Sequence, residues 1–256
     1  AAAGGDAGVT VDLDAGTATD GFGDGDTLSN IENITGTDQT DQLTGSNDAN
    51  VILGNAGDDI ISGLGGADTV DGGSGIDEVD YSTDATAGGT AGVTVDLDAG
   101  TATDGFGDSD TLSNIENITG TDQADQLTGS DAANVVLGNA GDDIISGLDG
   151  ADTLVGGLGA DTIAGGEGAD SIGGGLGADT ISGGSGDDAI TGGEGADQIA
   201  GDAGSDTIVG GLGADTIDGG AGIDEIDYST DAAAGGDAGV TVDLDAGTAT
   251  DGFGDS

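Results

Sequence analysis

The sequence predicts an all-β protein, a parallel β-roll solenoid of about 18 residues per coil with cations bound in its turns. Three observations lead there. A nine-residue unit recurs nineteen times, cleanest as Gly156-Gly157-Leu158-Gly159-Ala160-Asp161-Thr162-Ile163-Ala164. Its eighth position is Ile, Leu or Val in all nineteen copies, from Ile34 to Ile226. The chain also holds 52 acidic residues with no Lys, Arg or His, a net charge of −52. A strict period means one structural unit stacked on its neighbours. Uncompensated charge opposes any compact state, so folding must recruit cations from outside the chain.

The elements follow in order. Residues 1–26 read as a partial spacer with a β-strand, and residues 27–80 as a first array of six units. Residues 81–110 form a spacer, residues 111–227 a second array of thirteen units, and residues 228–256 another partial spacer. Positions six to nine, as in Asp161 to Ala164, make a very short strand whose eighth side chain points inward and whose neighbours point out. Two strands and two turns close one coil, and coils stack as parallel strands. The core is then a pair of thin aliphatic ladders, too little to offset ordering entropy and repulsion unaided. Each array opens with three degenerate units that keep the aliphatic but lose the glycines. Their sixth positions are Glu32, Asp41 and Asn50, then Glu116, Asp125 and Asn134, and weak or absent cation sites are expected there. In the spacer, Val93 to Leu97 alternates as a strand does, and Asp104-Gly105-Phe106-Gly107-Asp108 reads as a turn. Tyr81 and Phe106 are expected as lids over ladder ends.

In thirteen units a Gly at position four precedes an Asp at position six. The pairs are Gly57/Asp59, Gly66/Asp68, Gly75/Asp77, Gly141/Asp143, Gly150/Asp152, Gly159/Asp161 and Gly168/Asp170. They continue as Gly177/Asp179, Gly186/Asp188, Gly195/Asp197, Gly204/Asp206, Gly213/Asp215 and Gly222/Asp224. Glycine admits backbone angles closed to other residues, so carbonyl oxygens can turn to one side and join the carboxylate. That donor set of oxygens suits Ca2+, which accepts six to eight flexible ligands. Mg2+ demands tight octahedral geometry and gives up water reluctantly. Zn2+ would want His or Cys. With this motif in register over nearly the whole chain, the sequence resembles the RTX, or hemolysin-type, calcium-binding nonapeptide repeats. The resemblance implies a calcium-bound β-roll, and the spacer resembles those between repeat blocks of large secreted RTX proteins.

Other classes fall away. A polyanion without a basic residue cannot contact phosphates, so nucleic acid is not a partner, and no stretch approaches the ~20 apolar residues of a spanning helix. Without Cys there are no disulfides. Glycosidases pair two carboxylates in a shaped pocket, whereas these carboxylates are dispersed one per unit, so no enzyme is expected. An ice-binding or other adhesive RTX solenoid is the rival reading. Its Thr array at position seven (Thr69, Thr153, Thr162, Thr180, Thr207, Thr216) is broken by Ile60, Glu78, Ser171, Ala189, Gln198 and Glu225. A calcium-dependent secretion or folding module of a larger protein is a second alternative. The expectation is a secreted or cell-surface structural protein of a filament, surface layer or adhesin stalk, ordered by Ca2+ after export. Ala1 to Asp24 repeats as Ala232 to Asp255, as in a window cut from a longer polymer continued covalently or by head-to-tail stacking.

Overall fold

The computed structural model describes residues 7–229 and the backbone of strands Thr241–Asp243 and Thr248–Thr250. Most of the third spacer copy, 228–256, therefore lies outside the described residues. The chain forms two compact units, Ala1–Ser130 and Asp131–Ser256.

The second unit is a parallel β-roll. Strands Val135–Ala140, Thr153–Leu158, Ser171–Leu176, Ala189–Glu194, Thr207–Leu212 and Glu225–Ile226 stack in one sheet. Strands Ile144–Asp149, Thr162–Glu167, Thr180–Ser185, Gln198–Ala203 and Thr216–Asp218 stack in the other. Consecutive nonapeptides alternate between the sheets, so partners are 18 residues apart, as Ile163 is from Ile181 and Leu154 from Ile172. Leu154, Ile172, Ile190 and Ile208 from one sheet and Ile145, Ile163, Ile181 and Ile199 from the other are each 3% exposed or less. Flanking residues at positions seven and nine are half-buried or exposed. That is the period of two of a strand covered on one side only. Ile217 and Ile226, in the last coil described, are only half-buried.

The first unit follows the same plan, with the spacers built into it. Asn33–Thr35, Val51–Ala56, Thr69–Ser74 and Ser109–Ser113 pair in parallel on one face. Gln42–Thr44, Ile60–Ser62, Glu78–Asp80 and Asn117–Thr119 do so on the other. Between residues 81 and 108 the chain makes one helical turn, Asp84–Ala87, ended by Gly88 at φ 119°. Strand Thr94–Asp96 then runs parallel to Gln126–Thr128, and Thr101–Thr103 lies antiparallel between it and Ser109–Ser113. The spacer thus adds rungs to one face of the roll. The first copy builds the same meander from Thr10–Asp12, Thr17–Thr19 and Gly25–Thr27, but on the opposite face, against Gln42–Thr44. The reason is parity. The spacer's last strand is itself a rung carrying buried Leu112, and six nonapeptides plus that rung make an odd number of alternations.

Tyr81 is not a lid. It is 1% exposed inside the roll, with its hydroxyl donating to Asp110 Oδ2 at 3.4 Å. Phe106 is half-buried beside Gly65, where a methyl group would meet its ring at 3.0 Å.

Candidate metal centre

The sixth position ends the turn and starts the strand, and stacking fixes its side chain. Asp161 Oδ1 accepts the backbone N–H of Asp143 at 2.9 Å, and Asp179 Oδ1 accepts that of Asp161 at 2.9 Å. The same bond links Asp152 to Asp170, Asp170 to Asp188, Asp179 to Asp197, Asp188 to Asp206 and Asp59 to Asp77. Eleven of the thirteen predicted carboxylates, Asp59, Asp68, Asp77, Asp143, Asp152, Asp161, Asp170, Asp179, Asp188, Asp197 and Asp206, are 2% exposed or less. Asp215 is half-buried and Asp224 exposed, although their Oδ1 atoms still accept the N–H groups of Asp197 and Asp206.

The second oxygen is the informative one. Oδ2 of Asp59, Asp68, Asp77, Asp152, Asp161, Asp170, Asp179, Asp188, Asp197 and Asp206 is buried and accepts no hydrogen bond. An ionised carboxylate oxygen left this way is costly, and the chain has no cationic side chain to relieve it. Beside each lies a cradle that only glycine at position one permits. A methyl on Gly156 would overlap Asp161 Oδ2 and come within 2.7 Å of the Gly174 carbonyl oxygen of the next coil. Strand pairing passes over this point, running Leu137 with Val155 and resuming at Asn139 with Gly157. All thirteen position-four glycines, from Gly57 to Gly222, have positive φ, and a methyl on Gly159 would collide with Gly141 O. These glycines therefore set the coil spacing as well as the turn.

Electrostatics agree. Burial raises the affinity for a proton at Asp161, Asp170 and Asp179, and pushes Asp152, Asp188 and Asp197 up to about 6, only partly offset by the N–H bond to Oδ1. Among the described residues no three carboxylates converge on one point. A cation here would rest on one or two carboxylate oxygens completed by carbonyls and water. That mixed set is one a hard, flexible cation such as Ca2+ accepts, so the orphaned oxygen and the cradle fit it.

The degenerate turns solve the same burial problem differently. Asp41 is equally buried, but Thr37 N–H donates to its Oδ2 at 2.5 Å, while Thr37 Oγ1 and Val9 N–H donate to Oδ1. Asp125 is held in the same way by Thr121 N–H, Thr121 Oγ1 and Val93 N–H. Asn50 receives Ser46 N–H and donates to Glu32 O. Glu116 Oε2 caps Asp77 N–H at 2.8 Å. The nine-residue register misses one position-six residue, Asp110. Its Oδ1 accepts Asp68 N–H at 2.9 Å in the usual manner. Asp110-Thr111-Leu112-Ser113 repeats the unit's second half, but Leu112 stands six residues before Ile118 rather than nine. A search for the half-motif alone would have found it.

Eighteen-residue coils bearing a row of buried carboxylates over glycine-lined turns define a cation-binding β-roll. The model of the RTX calcium-binding nonapeptide repeat (4 copies) matches residues 44–79, 110–145, 119–154, 146–181, 155–190, 173–208 and 191–226. Those segments span more than half of the chain, and the chain belongs to this calcium-binding repeat family. A search of curated proteins finds no match to it.

Proposed function

We propose that this chain is a structural segment of an extracellular filament, surface layer or adhesin stalk, ordered by Ca2+ once outside the cell. The observation that carries this reading is the row of buried Oδ2 atoms without a partner in a chain of net charge −52. The thirteen Asp residues from Asp59 to Asp224 supply the carboxylates, and the glycines from Gly57 to Gly222 turn the backbone so that carbonyls can join them. On the order of one ion binds per consensus nonapeptide, each shared by stacked turns. Extracellular modules bind Ca2+ near ~10⁻⁴–10⁻³ M. The chain would thus remain unstructured at cytosolic calcium and fold on export, metal binding being folding free energy. Each coil presents a strand edge to the next along the stacking axis. Head-to-tail addition of further coils is a heterologous contact that does not close, which generates filaments.

Two measurements test this. Equilibrium dialysis with Ca2+ should return on the order of one ion per consensus unit, with binding steep enough to show that neighbours share ions. Electron microscopy in millimolar calcium should show filaments that disperse in chelator. Monodisperse particles under both conditions would remove the filament reading and leave a calcium-binding module.

A further inference from the structure

The spacer contains two buried carboxylates that no nonapeptide turn explains. Asp84 is 1% exposed and Asp104 0%. Asp84 Oδ2 accepts the N–H of Gly105 at 2.9 Å. Asp104 Oδ1 accepts those of Phe106 at 2.9 Å and Asp108 at 2.8 Å. One oxygen of each is therefore fixed by the same loop, and the charge of Asp104 is near enough to act on Asp84. The other oxygens, Asp84 Oδ1 and Asp104 Oδ2, are both buried without a hydrogen bond. A Cβ on residue 105 would sit 3.0 Å from Asp84 Oδ2 and 3.3 Å from the Ala91 carbonyl oxygen. Only glycine leaves that space open.

We propose that the spacer holds a hard divalent cation of its own, of the Ca2+ class, between Asp84 Oδ1 and Asp104 Oδ2, outside every nonapeptide turn. An acidic cluster alone would not support this. The independent observation is a pair of fully buried, unpartnered oxygens, each on a carboxylate whose other oxygen is already fixed. Since no three carboxylates converge there, carbonyl oxygens and water complete the shell. Burial, with the charges of Asp104 and Asp110 added to it, pushes Asp84 up to about 7, and a divalent ion would reverse that field. Its consequence is mechanical. The ion would clamp the helical turn at Asp84–Ala87 to the Asp104–Asp108 loop and so fix the meander that widens one face of the roll. The first spacer copy offers an internal comparison. Asp20 receives the same bonds from Phe22 and Asp24, yet it is only half-buried.

Tyr81 makes the site observable. It is buried next to this cluster, its phenol pushed well up by burial and by the charges of Asp110 and Asp84, and Asp84 N–H donates to its carbonyl at 3.0 Å. The chain has two tyrosines and no tryptophan, so in a Tyr228→Phe background Tyr81 is the only phenol able to sensitise bound Tb3+. Asp84→Asn and Asp104→Asn should each reduce that emission roughly tenfold or more and lower the Ca2+ count by one ion. Asp161→Asn should lower the count and leave the emission. Asp68→Asn, which alters the turn carboxylate in the same neighbourhood, should leave it too. Unchanged emission and count in both spacer variants would overturn the proposal, and the pair would instead be neutral acids. If the variants lose their β spectrum, the Tyr228→Phe protein still decides: absence of any Tyr81-sensitised Tb3+ emission from it also overturns the proposal.

Discussion

Asp41 and Asp161 occupy the same position of the same repeat, both buried to 2% exposure or less, and differ in how their second oxygen is satisfied. Around Asp41 the chain supplies its own donors, with Thr37 giving both its N–H and its hydroxyl. Around Asp161 position two is Gly157 at φ 115°, with no hydroxyl, and Oδ2 is left open. Three hydrogen bonds do at Asp41 what an ion would have to do at Asp161. The degenerate turns at Asp41 and Asp125 are therefore not eroded copies. They are self-satisfied turns, and the first unit contains both kinds.

The largest expected effect is on removing calcium. Circular dichroism in excess chelator should lose the β spectrum, because the thin ladders cannot offset the repulsion of like charges without metal. Retention of a full β spectrum there would mean that the open oxygens of Asp152 to Asp206 do not need an ion. A residual signal confined to a 7–130 fragment would sharpen the contrast, since that unit holds Asp41 and Asp125.

Acid should partly replace calcium at the consensus turns. Burial raises Asp152, Asp188 and Asp197 in the folded chain to about 6 from an ordinary 3.8. A raised carboxylate pKa means that the folded state binds protons more tightly than the unfolded one. Its contribution to stability is therefore full below about 4 and is lost as pH rises through about 6. Metal-free protein should accordingly gain β signal as pH falls from 7 toward 4, while Ca2+ affinity weakens over the same interval. A metal-free chain equally unstructured across that range would contradict the desolvation argument.

Single carboxylates come next. Asp161→Asn should weaken the sites on both sides of it. An ion present at a hundred times its Kd contributes about 2.7 kcal/mol, so up to about 5 kcal/mol is at stake for two. Asp125→Asn should cost only the ~1–2 kcal/mol of disturbed hydrogen bonds, with no change in ions bound. Calorimetry and dialysis on the two variants separate these outcomes; equal ion loss in both would erase the distinction between turn types.

Much of this could be read from the sequence, and what could not has a common cause. The aliphatic at position eight and the thirteen Gly–Asp pairs state the roll and its turns, since each depends on residues within one unit. Burial does not. Asp224 carries the full motif and is exposed, because cover comes from the coil stacked upon it. Asp110 sits in a rung that the period steps over, the following turn being three residues short. Asp84 belongs to no period, and only folding brings it to Gly105. The spacers' opposite faces follow from counting Leu112 as a rung, which the linear repeat does not suggest.

The smallest effect is the most direct test of the comparison. Thr121→Gly removes the hydroxyl that donates to Asp125 Oδ1 at 2.9 Å and restores the glycine of a consensus turn. Position one of that unit is already Gly120, so little else separates it from a site that takes an ion. The backbone, freed at residue 121, can turn its N–H away from Asp125 Oδ2, which it now meets at 2.6 Å. At the lowest calcium that still folds the chain, the variant should be less stable by about 1–3 kcal/mol, the usual consequence of stranding a buried acceptor. In millimolar calcium it should recover most of that loss and bind one additional ion, seen as a higher count in dialysis. Recovery requires Val93 N–H to keep its 2.7 Å bond to Oδ1, since that bond holds the carboxylate in place as the inter-coil bond does at Asp161. A variant that is destabilised equally at limiting and at millimolar calcium would show that position two does not decide between hydrogen bonds and metal, and the difference between the turns would then have to lie in position four, where Gln123 stands in place of glycine.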